Sequence, residues 1–431
     1  MGESRGAFLN FQSELLRGLD RVASRLGVFS KPLRSDRLIR LAQRRSGLED
    51  FGGWAFEEPL TVLTAAYEKE AHLSTFGRLG ARWDLTRFLS NLLRLREEER
   101  RDPSILNEEI RGPLFILGLP RSGTTFLHNL MGLDQDNLVL RCWQTVYPYP
   151  DRPVDNSAQD PRPAIVARKF ASFLALAPEL RNLHPLDARG AQECIEITGQ
   201  VIRSLRFDTT HYVPSYAEWL QQAGHLEAYR FHRRFLQHLQ HQSGGGRWIL
   251  KTPDHIFAIG ALQTVYPDAR FIFVHRDPME VLPSVARLTE ILRQPFTRKV
   301  DLLQIGRQVS ESWARGAKLL IETSEKMRGS PGRIFHVRYD HLTREPFEVI
   351  AAIYHHFRFS MSDQAELAIK REIAARPGGG YGRNRYRFED YGIDTGTVRK
   401  QYDDYVDHFR LRTGVPLEAS RDERQVQAAA G

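Results

Sequence analysis

Only two of the 431 residues are cysteine, Cys142 and Cys194, so no disulfide framework can hold this fold together. Two buried thiols suit a reducing compartment, and the expected location is cytoplasmic. Long apolar runs are missing, and none approaches the roughly 20 residues needed to cross a bilayer. The N-terminus reads Met-Gly-Glu-Ser-Arg-Gly without an apolar h-region, which argues against secretion. Gly6 stands where a myristoylation motif would need Ser or Thr. No asparagine opens an Asn-X-Ser/Thr sequon, which argues against a Golgi-lumen enzyme. Zinc-ligand spacings, an RNP-type aromatic motif and a long Lys/Arg block are also lacking, so neither a metal nor nucleic acid is expected.

What the chain does have is positive charge. Sixty-one basic against 53 acidic residues leave a net charge of +8, with a pI near 9.5. An anionic ligand or surface fits this balance without identifying which: a polyphosphorylated cofactor and acidic lipid would both be attracted, and nucleic acid is the weaker choice. Hydrophobic content of 41% and charged content of 26% are those of an ordinary globular chain.

Residues 1–110 read as a helical region. Phe8, Phe11, Leu15, Leu16, Leu19 and Val22 recur at helical spacing with Arg17, Arg21 and Arg25 between them. This basic amphipathic helix is expected to pack on the core, with peripheral membrane contact as the alternative. Helical spacing continues over 56–100. From Gly112 the pattern changes: Leu114–Leu117 is a short apolar run suited to a buried parallel strand. Further strands are expected at 248–250, 270–274 and 334–337, separated by helices at 253–266, 278–292, 301–327 and 346–357. The stretch 142–190, rich in proline, is expected to be irregular. The fold class predicted is α/β, a P-loop-like, mostly parallel sheet flanked by helices, occupying 111–415 with an N-terminal helical extension. Residues 416–431 read as a disordered tail.

The most informative segment is Leu114-Phe-Ile-Leu-Gly-Leu-Pro-Arg-Ser-Gly-Thr-Thr125, a strand running through a glycine turn into a helix start. Backbone N–H groups and the helix dipole make such a junction an anion cradle. Gly123 permits close approach, Ser122, Thr124 and Thr125 supply hydroxyls, and Arg121 supplies a fixed charge. The spacing Gly118-x4-Gly123 imitates a Walker A loop, but Thr124 stands where that motif has its lysine. A P-loop kinase or NTPase is therefore the alternative rather than the preferred reading.

Pro120-Arg-Ser-Gly-Thr-Thr125 resembles the 5′-phosphosulfate loop of sulfotransferases that use 3′-phosphoadenosine-5′-phosphosulfate (PAPS). The resemblance spans roughly residues 45–412 and looks closest to a bacterial-type branch with a helical N-terminal region. It implies transfer of a sulfuryl group from PAPS to a hydroxyl of a small-molecule acceptor, releasing 3′-phosphoadenosine-5′-phosphate (PAP), without a metal. It also implies that Arg276 and Ser284 grip the 3′-phosphate and that Lys251 stabilises the leaving oxygen. Lys251 is expected at the end of a strand next to the one carrying Arg276. Tyr339, in Tyr339-Asp-His-Leu342, would approach the adenine or phosphate, and Arg383 and Arg385 of the glycine-rich loop 377–391 would reach the 3′-phosphate. Related chains often carry Trp-Glu where this one has Trp143-Gln144, and a neutral amide cannot take a proton. The candidate bases are His255, one helical turn after Lys251, then Glu193, His184 and His128. A catalytically inactive anion-binding protein of the same fold is the remaining alternative. The identity of the acceptor and the oligomeric state are not readable.

Overall fold

The computed structural model describes residues 31–150, 160–176, 186–330, 332–376 and 387–411. The amphipathic segment 8–22, His184, Arg383, Arg385 and the tail from 416 lie outside the described residues.

Five strands form one sheet: β1 (Leu114–Gly118), β2 (Asn137–Leu138), β3 (Arg247–Lys251), β4 (Arg270–His275) and β5 (Ile334–Arg338). Their order is β2-β3-β1-β4-β5, and every pairing is parallel. β1 is buried along its whole length, as a continuous apolar run at the centre of a parallel sheet should be. Side chains alternate across it. Phe115 and Leu117 enter one large core, while Leu114 and Ile116 enter a second core on the opposite face. β1 lies between β3 and β4, so these two strands are not neighbours; the sequence expectation that they adjoin is corrected here. The chain visits one side of β1 first and the other afterwards, which opens a crevice beyond the carboxyl end of β1.

Helices of eight residues or more are labelled in chain order. α1 (Ser35–Ser46), α2 (Glu57–Lys69) and α3 (Thr75–Arg101) precede the sheet, and α4 (Thr124–Met131) follows β1. α5 (Arg162–Leu176), α6 (Pro214–Ala223) and α7 (Leu226–Ser243) lie between β2 and β3. α8 (Pro278–Arg293) and α9 (Leu302–Lys326) separate β4 from β5. α10 (Pro346–Phe357), α11 (Asp363–Ala375) and α12 (Thr395–His408) complete the described chain. Leu60 and Leu63 of α2 and Phe88, Leu89 and Leu92 of α3 share the core of Phe115 and Leu117, so these helices cover one face of the sheet. α4 and α10 cover the other through Leu127, Leu130, Ile350 and Ile353.

One expected helix, over 253–266, proves to be broken, and a glycine divides the helical stretch before β3. Gly224, at φ +71°, separates α6 from α7. The segment after β3 is a 3₁₀ turn, Pro253–Ala258, followed by a short helix, Ile259–Val265. The proline-rich stretch holds more structure than expected. Cys142–Val146 is a short helix, and α5 is built on the spacing Val166, Phe170, Phe173 and Leu174. No helix among the described residues is long and apolar enough to cross a membrane.

Candidate active site

The crevice beyond β1 gathers groups from distant parts of the chain. The turn after β1 requires unusual backbone: Arg121 sits at φ +66° and Gly123 at φ +95°. A side chain at Gly123 would be strained there, and its Cβ would fall 2.9 Å from Cδ2 of Tyr339. α4 begins at Thr124, so its first N–H groups open onto the turn. Ser122 is fully buried, and its hydroxyl donates to the Leu119 carbonyl at 2.6 Å. That hydroxyl closes the turn, whereas the sequence reading had it facing the ligand.

On the β4 side, Asp277 caps α8 by accepting from Met279 N–H at 2.8 Å, with Pro278 at the first helical position. The cap fixes the path of the chain after Arg276 and sets Ser284 two turns into α8. Arg276 donates from Nη1 to the Arg121 carbonyl at 2.8 Å, and its guanidinium lies 3.9 Å from the centre of the Tyr339 ring. Glu280, one turn into α8, pairs with it at 2.8 Å. Arg121 Nε donates to Ser284 Oγ at 3.2 Å. Arg121, Gly123, Arg276, Ser284 and Tyr339 therefore form one basic cluster, drawn from three strand ends and a helix.

On the β3 side stands a second node. Lys251 is 2% exposed at its side chain, and its ammonium donates to Thr125 Oγ1 at 2.9 Å and to the Glu193 carboxylate. Thr252 Oγ1 donates to the other oxygen of Glu193 at 3.2 Å. The Glu193 segment is held in place because Cys194 N–H donates to the Lys251 carbonyl at 3.0 Å. Glu196 then pairs with Arg87 of α3 at 2.6 Å, which anchors the following short helix, Ile195–Gln200. Lys251 thus stands between a hydroxyl of the turn and a carboxylate able to accept a proton.

The remaining base candidates are placed elsewhere. His255 is fully buried, and its Nδ1 lies 2.6 Å from the Tyr229 hydroxyl. Its ring packs edge-on to Phe115, 5.0 Å between centres, on the core face of β1 opposite to α4. Burial, with smaller contributions from His232 and Lys251, pushes it well below the ordinary histidine range. The structure therefore does not bring His255 to the Lys251 node. The expectation assumed an α-helical turn after Lys251, and the 3₁₀ turn sends the ring into the core instead. His128 is also buried and donates from Nε2 to the Ile249 carbonyl at 3.1 Å, tying α4 to β3. Burial, then the charge of Lys251, pushes it down to about 3. Gln144 Oε1 accepts from Arg141 N–H at 3.1 Å and caps a short helix.

One acidic group was passed over in the sequence. Asp254 follows Lys251 by three residues, and its Oδ2 is buried without a hydrogen-bond partner. Burial, then the charges of Glu193 and Asp208, pushes its carboxyl up to about 7. Its only sequence signal is its position just past the end of a site strand.

Residues 113–363, more than half of the chain, match the sulfotransferase family. The chain belongs to the sulfotransferase family. It is 26% identical over 262 residues to the omega-hydroxy-beta-dihydromenaquinone-9 sulfotransferases Stf3 of Mycobacterium bovis and Mycobacterium tuberculosis. That match takes in 57% of this chain and 62% of the curated relatives' own length. The fold is similar to the crystal structure of the sulfotransferase STF1 from Mycobacterium tuberculosis, at 29% identity and TM-score 0.76, covering 86% of this chain and 98% of the other. It is likewise similar to the sulfotransferase STF9 from Mycobacterium avium, at 27% identity and TM-score 0.79, covering 88% and 97%. The family-matched region of this chain includes β1 to β5 and every residue of the two nodes.

Proposed function

We propose that this chain transfers the sulfuryl group of PAPS to a hydroxyl of a small-molecule acceptor and releases PAP. The observation that carries the reading is the Arg121–Ser284–Arg276 cluster beside a Walker-like turn that lacks its lysine. A mononucleotide 5′-phosphate needs only the turn. A second cationic cluster, joined to it through Arg121, supports a donor phosphorylated at the 3′ position as well. The chemistry fits the residues present: fixed guanidinium and ammonium charges face a ligand that is anionic at both ends.

Sulfuryl transfer depends on positioning and on stabilising charge that develops on the bridging oxygen. The N–H groups at the start of α4, with Thr124 and Thr125, would hold the 5′-phosphosulfate. Lys251, already bonded to Thr125, would neutralise the leaving oxygen as its bond to sulfur breaks. Glu193, on the other side of Lys251, would take the proton of the attacking hydroxyl; this role moves from His255 to Glu193 because, of the candidates among the described residues, Glu193 alone reaches the node. Tyr339, stacked on Arg276, would flank the nucleotide.

The Stf3 relatives act on an omega-hydroxy menaquinone, which supports a small hydroxylated acceptor for this chain too. Incubation with sulfur-labelled PAPS and a panel of hydroxylated apolar and aromatic compounds tests the reading. Label should pass to a product in step with PAP release. PAP formation without any labelled product, in the presence of a cell extract as well, would refute sulfuryl transfer to a hydroxyl.

A further inference from the structure

The C-terminal helix α12 lies beyond the matched region, yet it packs against the strand end that delivers Arg276. Tyr405 on its inner face is 1% exposed, and its hydroxyl oxygen stands 3.0 Å from Nδ1 of His275, the residue before Arg276. His275 Nε2 lies 2.9 Å from Nδ1 of His336 on β5, whose Nε2 is 3.4 Å from the Ser324 hydroxyl on α9. Phe409 stacks on the His275 ring at 3.8 Å between centres, which holds that ring against α12.

Burial holds both rings neutral: His275 is pushed well below the ordinary histidine range and His336 down to about 4, each first by desolvation. Tyr405, His275, His336 and Ser324 thus form one line of contacts through uncharged rings that ties α12, β4, β5 and α9 together.

We propose that Tyr405 is a positioning residue for the 3′-phosphate, acting through His275, the residue before Arg276. His275 immediately precedes Arg276 at the end of β4, so a shift at His275 reaches the guanidinium that would meet the 3′-phosphate. α12 thereby completes the donor site from outside the matched region. The inference rests on the reading that Arg276 binds a 3′-phosphate.

Tyr405→Phe keeps the ring packing and removes only the hydroxyl. In calorimetric titrations of the full chain, PAP should bind about three- to tenfold more weakly to this variant, and ADP equally well. The KM for PAPS should rise with kcat at saturating donor held within about twofold. A purely structural role would weaken PAP and ADP by the same factor, and that result, or unchanged PAP affinity, would overturn the proposal. Should the variant not fold, His336→Leu breaks the next link and carries the same two readings. If the unaltered protein itself fails to prefer PAP over ADP, the 3′-phosphate reading falls and the Tyr405 proposal with it. Failure confined to the variants removes the proposal alone.

Discussion

Lys251 and Glu193, 58 residues apart in the chain, meet as an ion pair at the carboxyl end of β3, with the lysine almost wholly out of water. An ammonium so buried is held by its partners, and removing one of them leaves the charge uncompensated. The pair therefore links the two proposed catalytic tasks, charge neutralisation and proton removal. Glu193→Gln should lower kcat by about 10²–10⁴ while PAP affinity stays within about threefold. Lys251→Ala should also act chiefly on kcat, because its charge matters most as the leaving oxygen becomes anionic. Steady-state kinetics with melting curves as a control check both; a change confined to the KM for PAPS would contradict the assignment.

His255 offers the opposite expectation. Its ring is fully buried and bonded to Tyr229, packed on Phe115, so its loss creates a cavity and orphans a hydroxyl. His255→Ala should destabilise the fold by about 2–4 kcal/mol yet leave kcat per folded molecule within about threefold. Chemical denaturation together with active-site-normalised kinetics measures both quantities. A large fall in kcat in a variant of unchanged stability would restore His255 as the base.

Asp254 predicts a dependence on pH. Its folded-state value, about 7, lies above the ordinary carboxyl value of 3.8, so the folded protein holds this proton more tightly than the unfolded chain does. The associated stability is fully present below about pH 4 and is lost as pH rises through about 7. Asp254→Asn does not titrate, so its melting temperature relative to that of the unaltered protein should climb between pH 4 and 8. A difference that stays constant across that range would refute the raised value.

The sheet and the turn were legible because both depend on short-range pattern. Leu114–Leu117 announces a buried strand, and Pro120–Thr125 carries its own backbone demands at Arg121 and Gly123. The strand end at Arg276 and the Asp277 cap before Ser284 were readable locally, while the pairing of Arg276 with Ser284 came from the resemblance. The order of strands was not, since nothing in the local sequence says that β1 inserts between β3 and β4. The same gap misplaced His255: one 3₁₀ turn in place of an α-helical one decides which side of the sheet a ring enters, and the two differ by a single hydrogen-bond register. α5 was hidden by the prolines before it, although the spacing of Val166, Phe170, Phe173 and Leu174 was there to be read. Tyr405 had no sequence signal, because its role arises only when α12 docks beside His275.

The central claim is that the basic cluster around Arg276 recognises a 3′-phosphate, and calorimetric titration of the unaltered protein and of Arg276→Ala with PAP and with ADP, in the absence of Mg²⁺, tests it most directly. A charge-assisted hydrogen bond contributes about 1.5–3 kcal/mol, so PAP should bind the unaltered protein at least about tenfold more tightly than ADP. Arg276→Ala should abolish most of that preference while leaving ADP affinity nearly unchanged. Equal binding of PAP and ADP by the unaltered protein, or a preference that survives in Arg276→Ala, would contradict the account.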